Sequence, residues 1–328
     1  MKLPPAPEFW NRPGLGAQLL EPLAWAFAAA GAARRALAHP YRAPVPVLCV
    51  GNLVAGGAGK TPVVLSLARR LTAQGARPHL LSRGYGGSEA GPLAVDPARH
   101  DAAQVGDEAL LLAQVAPTWI ARDRAAGARA AAAAGAGIIV MDDGFQNPSL
   151  VKDRALLVVD GGYGFGNGRV MPAGPLRERV PAALARADAV VLMGADADGV
   201  AARLGGARVL RAELVAVAST VPAGRVVAFA GIGRPEKFFR TVAATGAIVV
   251  ARHAFADHHR YGAAELERLG RDAEAAGARL VTTAKDAVRL PQAWRARVSV
   301  LEVEVRWQDD AALKALLAPV VAAALRHG

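Results

Sequence analysis

Short, continuously apolar runs alternate along the chain with longer segments whose apolar residues recur every three or four positions, and this alternation predicts the elements. After Pro44, residues 45–50 read as a strand, 62–71 as a helix and 79–82 as a strand. Asp107–Ala113 follows as a helix, Thr118–Ile120 as a strand and 124–134 as an Ala-rich helix. Residues 138–141, 156–160 and Ala189–Met193 are further strands. Apolar strands without polar alternation, separated by helices, predict an α/β fold with a parallel sheet covered on both faces.

A second α/β unit begins near Arg225. Its strands are expected over 226–230, 248–250 and 279–282, with helices over Pro235–Ala244 and 263–276. Two isolated strand-like runs, 208–217 and 298–306, flank this unit and can pair as a bridge between the two. Pro222 and Gly224 signal a turn and put the boundary near 219–224. The chain thus divides into an N-terminal helical segment (1–43), a larger domain (44–220) and a smaller one (221–328).

The N-terminal segment is apolar but Ala-heavy, with Glu21 the one charge between Leu15 and Ala33. Pro22 suits the first turn of a helix running to about residue 38. Leu19, Leu20, Leu23 and Phe27 share one face, and Arg34, Arg35, His39 and Arg42 follow directly. An apolar stripe ending in basic residues fits a helix lying on an anionic membrane surface. A core helix and a spanning helix are the other two readings, the last disfavoured by Pro22 and the weak insertion energy of Ala.

Composition narrows the class. The 328 residues are 53% hydrophobic and 20% charged, as in a folded globular protein. The net charge of +11 attracts anions, which admits nucleic acid, anionic lipid or phosphorylated small molecules. Aromatic residues make up 5%, too few for stacking platforms, and this argues against a nucleic-acid partner. The single cysteine, Cys49, excludes an internal disulfide and points to the cytoplasm.

The strongest chemical signal is Val54-Ala55-Gly56-Gly57-Ala58-Gly59-Lys60-Thr61, which leaves a predicted strand and opens a predicted helix. Its glycines let backbone N–H groups converge on phosphate oxygens at a helix N-terminus. Lys60 reaches the β- and γ-phosphates and Thr61 offers its hydroxyl to Mg²⁺. The general pattern has Gly where this chain has Val54. Asp142-Asp143-Gly144 closes another apolar run. A carboxylate there emerges at the strand's carboxyl edge, as a metal partner for the phosphate loop or as a helix cap.

Other clusters are too polar and Gly-rich for ordinary connectors: 82–87, 105–108, 166–168 leading into 172–178, 255–261 and 282–286. Taken in order with the phosphate loop and Asp142-Asp143-Gly144-Phe145-Gln146, the chain from about Asn52 to Arg289 resembles the tetraacyldisaccharide 4'-kinase family. The resemblance implies a P-loop kinase-type α/β/α domain, a smaller α/β/α domain and a two-stranded linker. It implies ATP- and Mg²⁺-dependent phosphorylation of the 4'-hydroxyl of a tetraacylated glucosamine disaccharide 1-phosphate, in lipid A synthesis. The setting it implies is the cytoplasmic face of the bacterial inner membrane, with an anionic surface as partner and no obligate protein partner.

By matched motif, Asp107 is the expected general base and His258 its assistant, with Lys60 and Asp142 at the reacting phosphate. Residues 54–61 hold ATP. Thr61, Asp143 and Glu178 are implied for the metal, and Asn52, Arg83, Glu108, Arg122 and Arg177 for the substrate. On residue type alone, Asp107 also reads as a helix cap beside Gly106, and His258 as a surface imidazole. Asn147 departs from the family, where His is common. The competing class is a P-loop GTPase or metallochaperone-type ATPase switch. It lacks support because 284–286 reads Ala-Lys-Asp, without the Asn of a guanine-specificity motif.

Overall fold

The computed structural model describes residues 7–12, 14–197 and 199–326. The larger unit holds β1 (Val47–Asn52), β2 (Pro78–Ser82), β3 (Leu93–Ala94), β4 (Thr118–Ile120), β5 (Ile138–Asp142), β6 (Arg154–Asp160), β7 (Ala189–Met193) and β8 (Val209–Ala216). The smaller holds β9 (Arg225–Ala230), β10 (Ile248–Ala254), β11 (Arg279–Thr283) and β12 (Val298–Leu301), and β13 (Val303–Trp307) returns to the larger.

Among the described residues the large sheet has nine strands in the order β13-β8-β7-β6-β1-β5-β2-β4-β3. From β8 to β4 every pairing is parallel, with β13 and β3 as antiparallel edges. Every residue of β1, β2, β5 and β7 is buried, the consequence of helices on both faces. Alternate residues serve opposite layers. Val47, Cys49, Ile139 and Met141 pack on one side, and Leu48, Val50, Ile138 and Val140 on the other. Helix Lys60–Ala73 faces the second layer with Val63, Val64, Leu67 and Leu71, one stripe at helical spacing. The chain runs from β1 to β2 on one side and from β6 to β8 on the other, so the strand order reverses at β1. Ligand crevices form at the carboxyl edge of such a switch point.

The small sheet is all parallel, in the order β10-β9-β11-β12. Phe238, Phe239 and Val242 cover one face, and Leu266, Leu269 and Trp294 the other.

Two expectations need amendment. The run 298–306 is not one strand: β12 joins the small sheet, and β13 pairs antiparallel with β8, Val303 opposite Ala216. The two crossings between units are tied together, because Val217 N–H donates to Glu302 O at 2.9 Å and Glu302 N–H to Thr220 Oγ1 at 3.1 Å. Helix Asp310–Arg326 then buries Leu313, Leu316, Leu317 and Val320 against the large sheet. Residues 303–326 therefore pack with the larger unit, although they fall inside the 221–328 expected for the smaller.

At the N-terminus, helix Glu21–Ala36 carries its proline in the first turn, and Ala24 is its one buried residue among those described. Leu15, Leu19 and Leu37 are 78%, 81% and 76% exposed, with Leu23, Trp25 and Phe27 also in the open. The core-helix reading therefore fails for Leu19, Leu23 and Phe27, whereas Leu20, expected on the same face, is half-buried and packs against the core of the larger unit. No helix among the described residues is long and apolar enough to cross a membrane.

Candidate active site

The phosphate loop leaves β1 as expected. Gly56 and Gly59 adopt positive φ (126° and 81°), and Gly59 caps helix Lys60–Ala73. A Cβ on Gly56 or Gly57 would meet nothing within 4 Å, so the loop faces open space rather than packed chain. Val54, the departure from the pattern, is 7% exposed and packs into the core beneath the loop, with Leu176 as its bridge partner. Its side chain takes none of the ligand space. Asn52, expected to meet substrate, is fully buried and organises the loop: its Nδ2 donates to Val54 O (2.8 Å) and Gly56 O (3.2 Å). Its Oδ1 accepts Lys60 Nζ at 3.0 Å.

Asp142 and Asp143 stand at the end of β5, beside β1. Asp142 is 3% exposed, and one of its oxygens, Oδ1, has no partner. Burial pushes its carboxyl up to about 6, against the pull of Lys60. Asp143 has φ 54°, a left-handed backbone that costs energy outside glycine. Burial presses its carboxyl upward too, but Lys60 and Arg177 outweigh it and hold Asp143 below the usual range. Arg177 donates to Asp143 Oδ1 at 2.8 Å, and Lys60 Nζ lies 3.7 Å from the same oxygen.

Glu178, expected with the metal, is 2% exposed and already engaged by Arg186, by Arg35 at 3.5 Å and by Gln146 Nε2 at 3.2 Å. Gln146 also donates to Asn52 O at 3.0 Å. This carboxylate links the N-terminal helix to the phosphate loop rather than facing an open position. Arg83 and Arg122 are exposed on the loops that follow β2 and β4, and Arg122 is held by Ser88 O at 3.2 Å.

The second cluster joins the two units. Asp107 opens helix Asp107–Ala113 of the larger unit, and Gly106 precedes it at φ 85°. A Cβ on Gly106 would fall 2.4 Å from Tyr85 O, so only glycine lets Asp107 sit under that loop. From the smaller unit, His258 Nδ1 approaches Asp107 Oδ2 at 3.0 Å. His258 also has a positive φ, 58°. Arg289 donates through Nε (2.8 Å) and through its second terminal nitrogen to the same oxygen. Lys285 Nζ reaches Glu108 Oε1 at 2.9 Å and His258 Nε2 at 3.3 Å.

The electrostatics follow from these contacts. Burial works against ionisation of Asp107, but the hydrogen bond from His258 and the charges of Lys285 and Arg289 drive its carboxyl well below the usual range. Burial beside Asp107 pushes Glu108 up to about 7. The hydrogen bond to Asp107 raises His258 above an ordinary imidazole, against burial and Lys285. Asp107, Glu108 and His258 present ligating atoms within 4.8 Å of one another, as a metal site would. Arg289 and Lys285 already supply countercharge there.

Sequence reasoning left out Arg289 and Arg186, and took Arg35 only as part of the basic cluster after the N-terminal apolar stripe. Asp286 and Arg289 stand i,i+3 with a 3.0 Å ion pair, a spacing visible in the sequence. A third contact between units lies across β6, where Arg234 donates to Asp160 Oδ2 at 2.9 Å and covers the Tyr163 ring at 4.9 Å. It borders a cavity of about 480 Å³ lined by Asp160, Gly162, Arg234, Glu236, Lys237 and Arg240.

A phosphate loop at a switch point, carboxylates on the neighbouring strand and a buried Asp met by a half-buried His of the second unit define a P-loop phosphotransferase. The model of the tetraacyldisaccharide-1-P 4'-kinase family (LpxK) matches residues 16–322, and the chain belongs to that family. It is 58% identical to the tetraacyldisaccharide 4'-kinase of Rhodospirillum centenum, over 98% of each chain. With that of Gluconacetobacter diazotrophicus it shares 56% identity over 95% of this chain and 97% of the other. Among solved structures it resembles the "apo" form of LpxK from Aquifex aeolicus in complex with ATP. The TM-score is 0.77 and the identity 26%, over 93% of this chain and 99% of that one. The chain is thus a kinase, and the switch-GTPase or metallochaperone alternative has no support.

Proposed function

We propose that this chain transfers the γ-phosphoryl group of ATP to the 4'-hydroxyl of a tetraacylated glucosamine disaccharide 1-phosphate. The observation that carries the reading is the Asp107–His258 pair, a buried carboxylate held ionised where the two units meet. The acceptor chemistry comes from the family to which the chain belongs.

In this reading the loop around 54–61 cradles the triphosphate, and Lys60 neutralises charge on the transferring group. Asp107 accepts the hydroxyl proton as the O–P bond forms. Its low basicity is adequate, because a loose transition state demands little proton transfer until late. Arg177 and exposed Arg83 and Arg122 face phosphate oxygens of donor or acceptor.

The residues present fit a divalent cation: Asp142 Oδ1 is buried without a partner, and Thr61 stands in the first turn of the adjoining helix. Thr61, Asp143 and Asp142 would hold Mg²⁺, which supplies charge neutralisation to the triphosphate. Glu178 would have to release Arg35 and Arg186 to join them. The exposed Leu15-Leu19-Leu23-Phe27 face, followed by Arg34, Arg35 and Arg42, supports seating on an anionic cytoplasmic membrane surface.

The test is transfer of label from γ-labelled ATP to detergent-dispersed disaccharide lipid by the purified chain. Label on the lipid 4'-position is expected. ATP hydrolysis without lipid labelling overturns the acceptor.

A further inference from the structure

Arg289 belongs to neither the phosphate loop nor the Asp–His pair, yet it is 4% exposed and every hydrogen bond it makes has a direction. Its Nε and one terminal nitrogen converge on Asp107 Oδ2. Its other terminal nitrogen donates to Asp286 Oδ1 at 3.0 Å and to Gly231 O at 2.8 Å. Asp286 is itself fixed: fully buried, it accepts Tyr261 O–H at 2.7 Å, Gly231 N–H at 2.9 Å and Thr283 O–H at 2.6 Å. Gly231 O also accepts the His258 amide at 3.2 Å. One guanidinium is therefore braced against the loop that presents His258 while it grips the carboxylate of the opposite unit.

The two oxygens of Asp107 differ as a result. Oδ2 receives His258 and two Arg289 donors, which saturates its lone pairs. Oδ1 accepts the Glu108 amide at 3.0 Å. We propose that Arg289 is a positioning residue for phosphoryl transfer, pinning Oδ2 of Asp107 to the smaller unit so that Oδ1 is turned to the acceptor hydroxyl. The inference rests on Asp107 as proton acceptor. A lysine replaces it only in part, because a single ammonium keeps the charge but cannot fork between Asp107 and Asp286.

The experiment measures kcat, both KM values, ATP affinity and the pH profile of kcat/KM for the full-length chain and for Arg289→Gln, Arg289→Lys, Asp107→Asn and the Asp107→Asn/Arg289→Gln double variant. Arg289→Gln should lower kcat by at least about tenfold, keep ATP affinity, and move the acid limb to higher pH. Arg289→Lys should recover part of kcat. In the Asp107→Asn background Arg289→Gln should cost nothing further, since it acts through that carboxylate. An acid limb that stays in place, or an equal fold-loss in both backgrounds, overturns the positioning role. If Arg289→Gln does not fold, the acid limb of Arg289→Lys decides in the same way. Near-full turnover of Asp107→Asn instead sinks the assignment of Asp107 itself.

Discussion

The Nδ1 atom of His258 lies 3.0 Å from Oδ2 of Asp107, although 151 positions of sequence separate the two residues. One rides on a helix under the large sheet and the other on the loop after β10 of the smaller unit. Both His258 and Asp143 hold left-handed backbones, a strain that persists where surrounding contacts enforce it. The pair is drawn from both units, so the proposed chemistry requires them in contact.

Asp107→Asn should therefore lose turnover by about 10²–10⁴-fold with ATP binding intact, because the phosphate loop lies outside the pair. His258→Ala should fall in kcat in the same direction. Steady-state lipid labelling beside equilibrium ATP binding separates the two effects, and near-wild-type turnover would remove either residue from its role.

Closure should also respond to pH. The hydrogen bond to Asp107 raises the His258 pKa above the ordinary imidazole value. A raised folded-state pKa means the stabilisation is fully present below about pH 6.5 and is lost as pH rises through the higher value of His258 itself. The Tm difference between wild type and His258→Gln should accordingly shrink from pH 6 toward pH 9. A difference that grows over this range contradicts the pairing.

Much of the site was legible because its chemistry is local. Residues 54–61 and 142–146 carry their meaning within a few positions, and apolar runs located β1, β5 and β7. What escaped is tertiary. Glu302 separates β12 from β13 without a Gly or Pro to mark the change of sheet. Leu313, Leu316, Leu317 and Val320 show helical spacing, but nothing in the spacing names the sheet they cover. Arg289 reads as an ordinary charge until folding brings Asp107 against it. Glu178 is implied for the metal by its motif, and its engagement by Arg35 and Arg186 is set by the fold.

Asp142 gives a sharper pH prediction. Its carboxyl is raised to about 6 by burial, so ionising it costs the ligand-free fold stability above that pH. Asp142→Asn should raise the ligand-free Tm at pH 8, by an amount equivalent to roughly 3 kcal/mol at most. The same variant should lose most of the Tm increase given by Mg-ATP. Unchanged ligand-free stability, or a full response to Mg-ATP, would show that the buried oxygen is satisfied some other way.

The N-terminal face tests whether the exposed apolar residues do their work at a membrane. Leu19 and Leu23 are 81% and 59% exposed. Replacing both with Glu removes apolar area and adds negative charge to the face, so anionic vesicles should lose the protein while ATP binding persists. Sedimentation with vesicles of anionic and of neutral lipid measures the change. The basic cluster predicts a stronger loss on anionic vesicles at low salt, because its attraction is screened within about 10 Å at 0.1 M. Arg35 also contacts Glu178, so a helix displaced from the surface should lower lipid turnover through the Gln146–Asn52 link as well. Equal sedimentation of wild type and variant would leave this face without a membrane role.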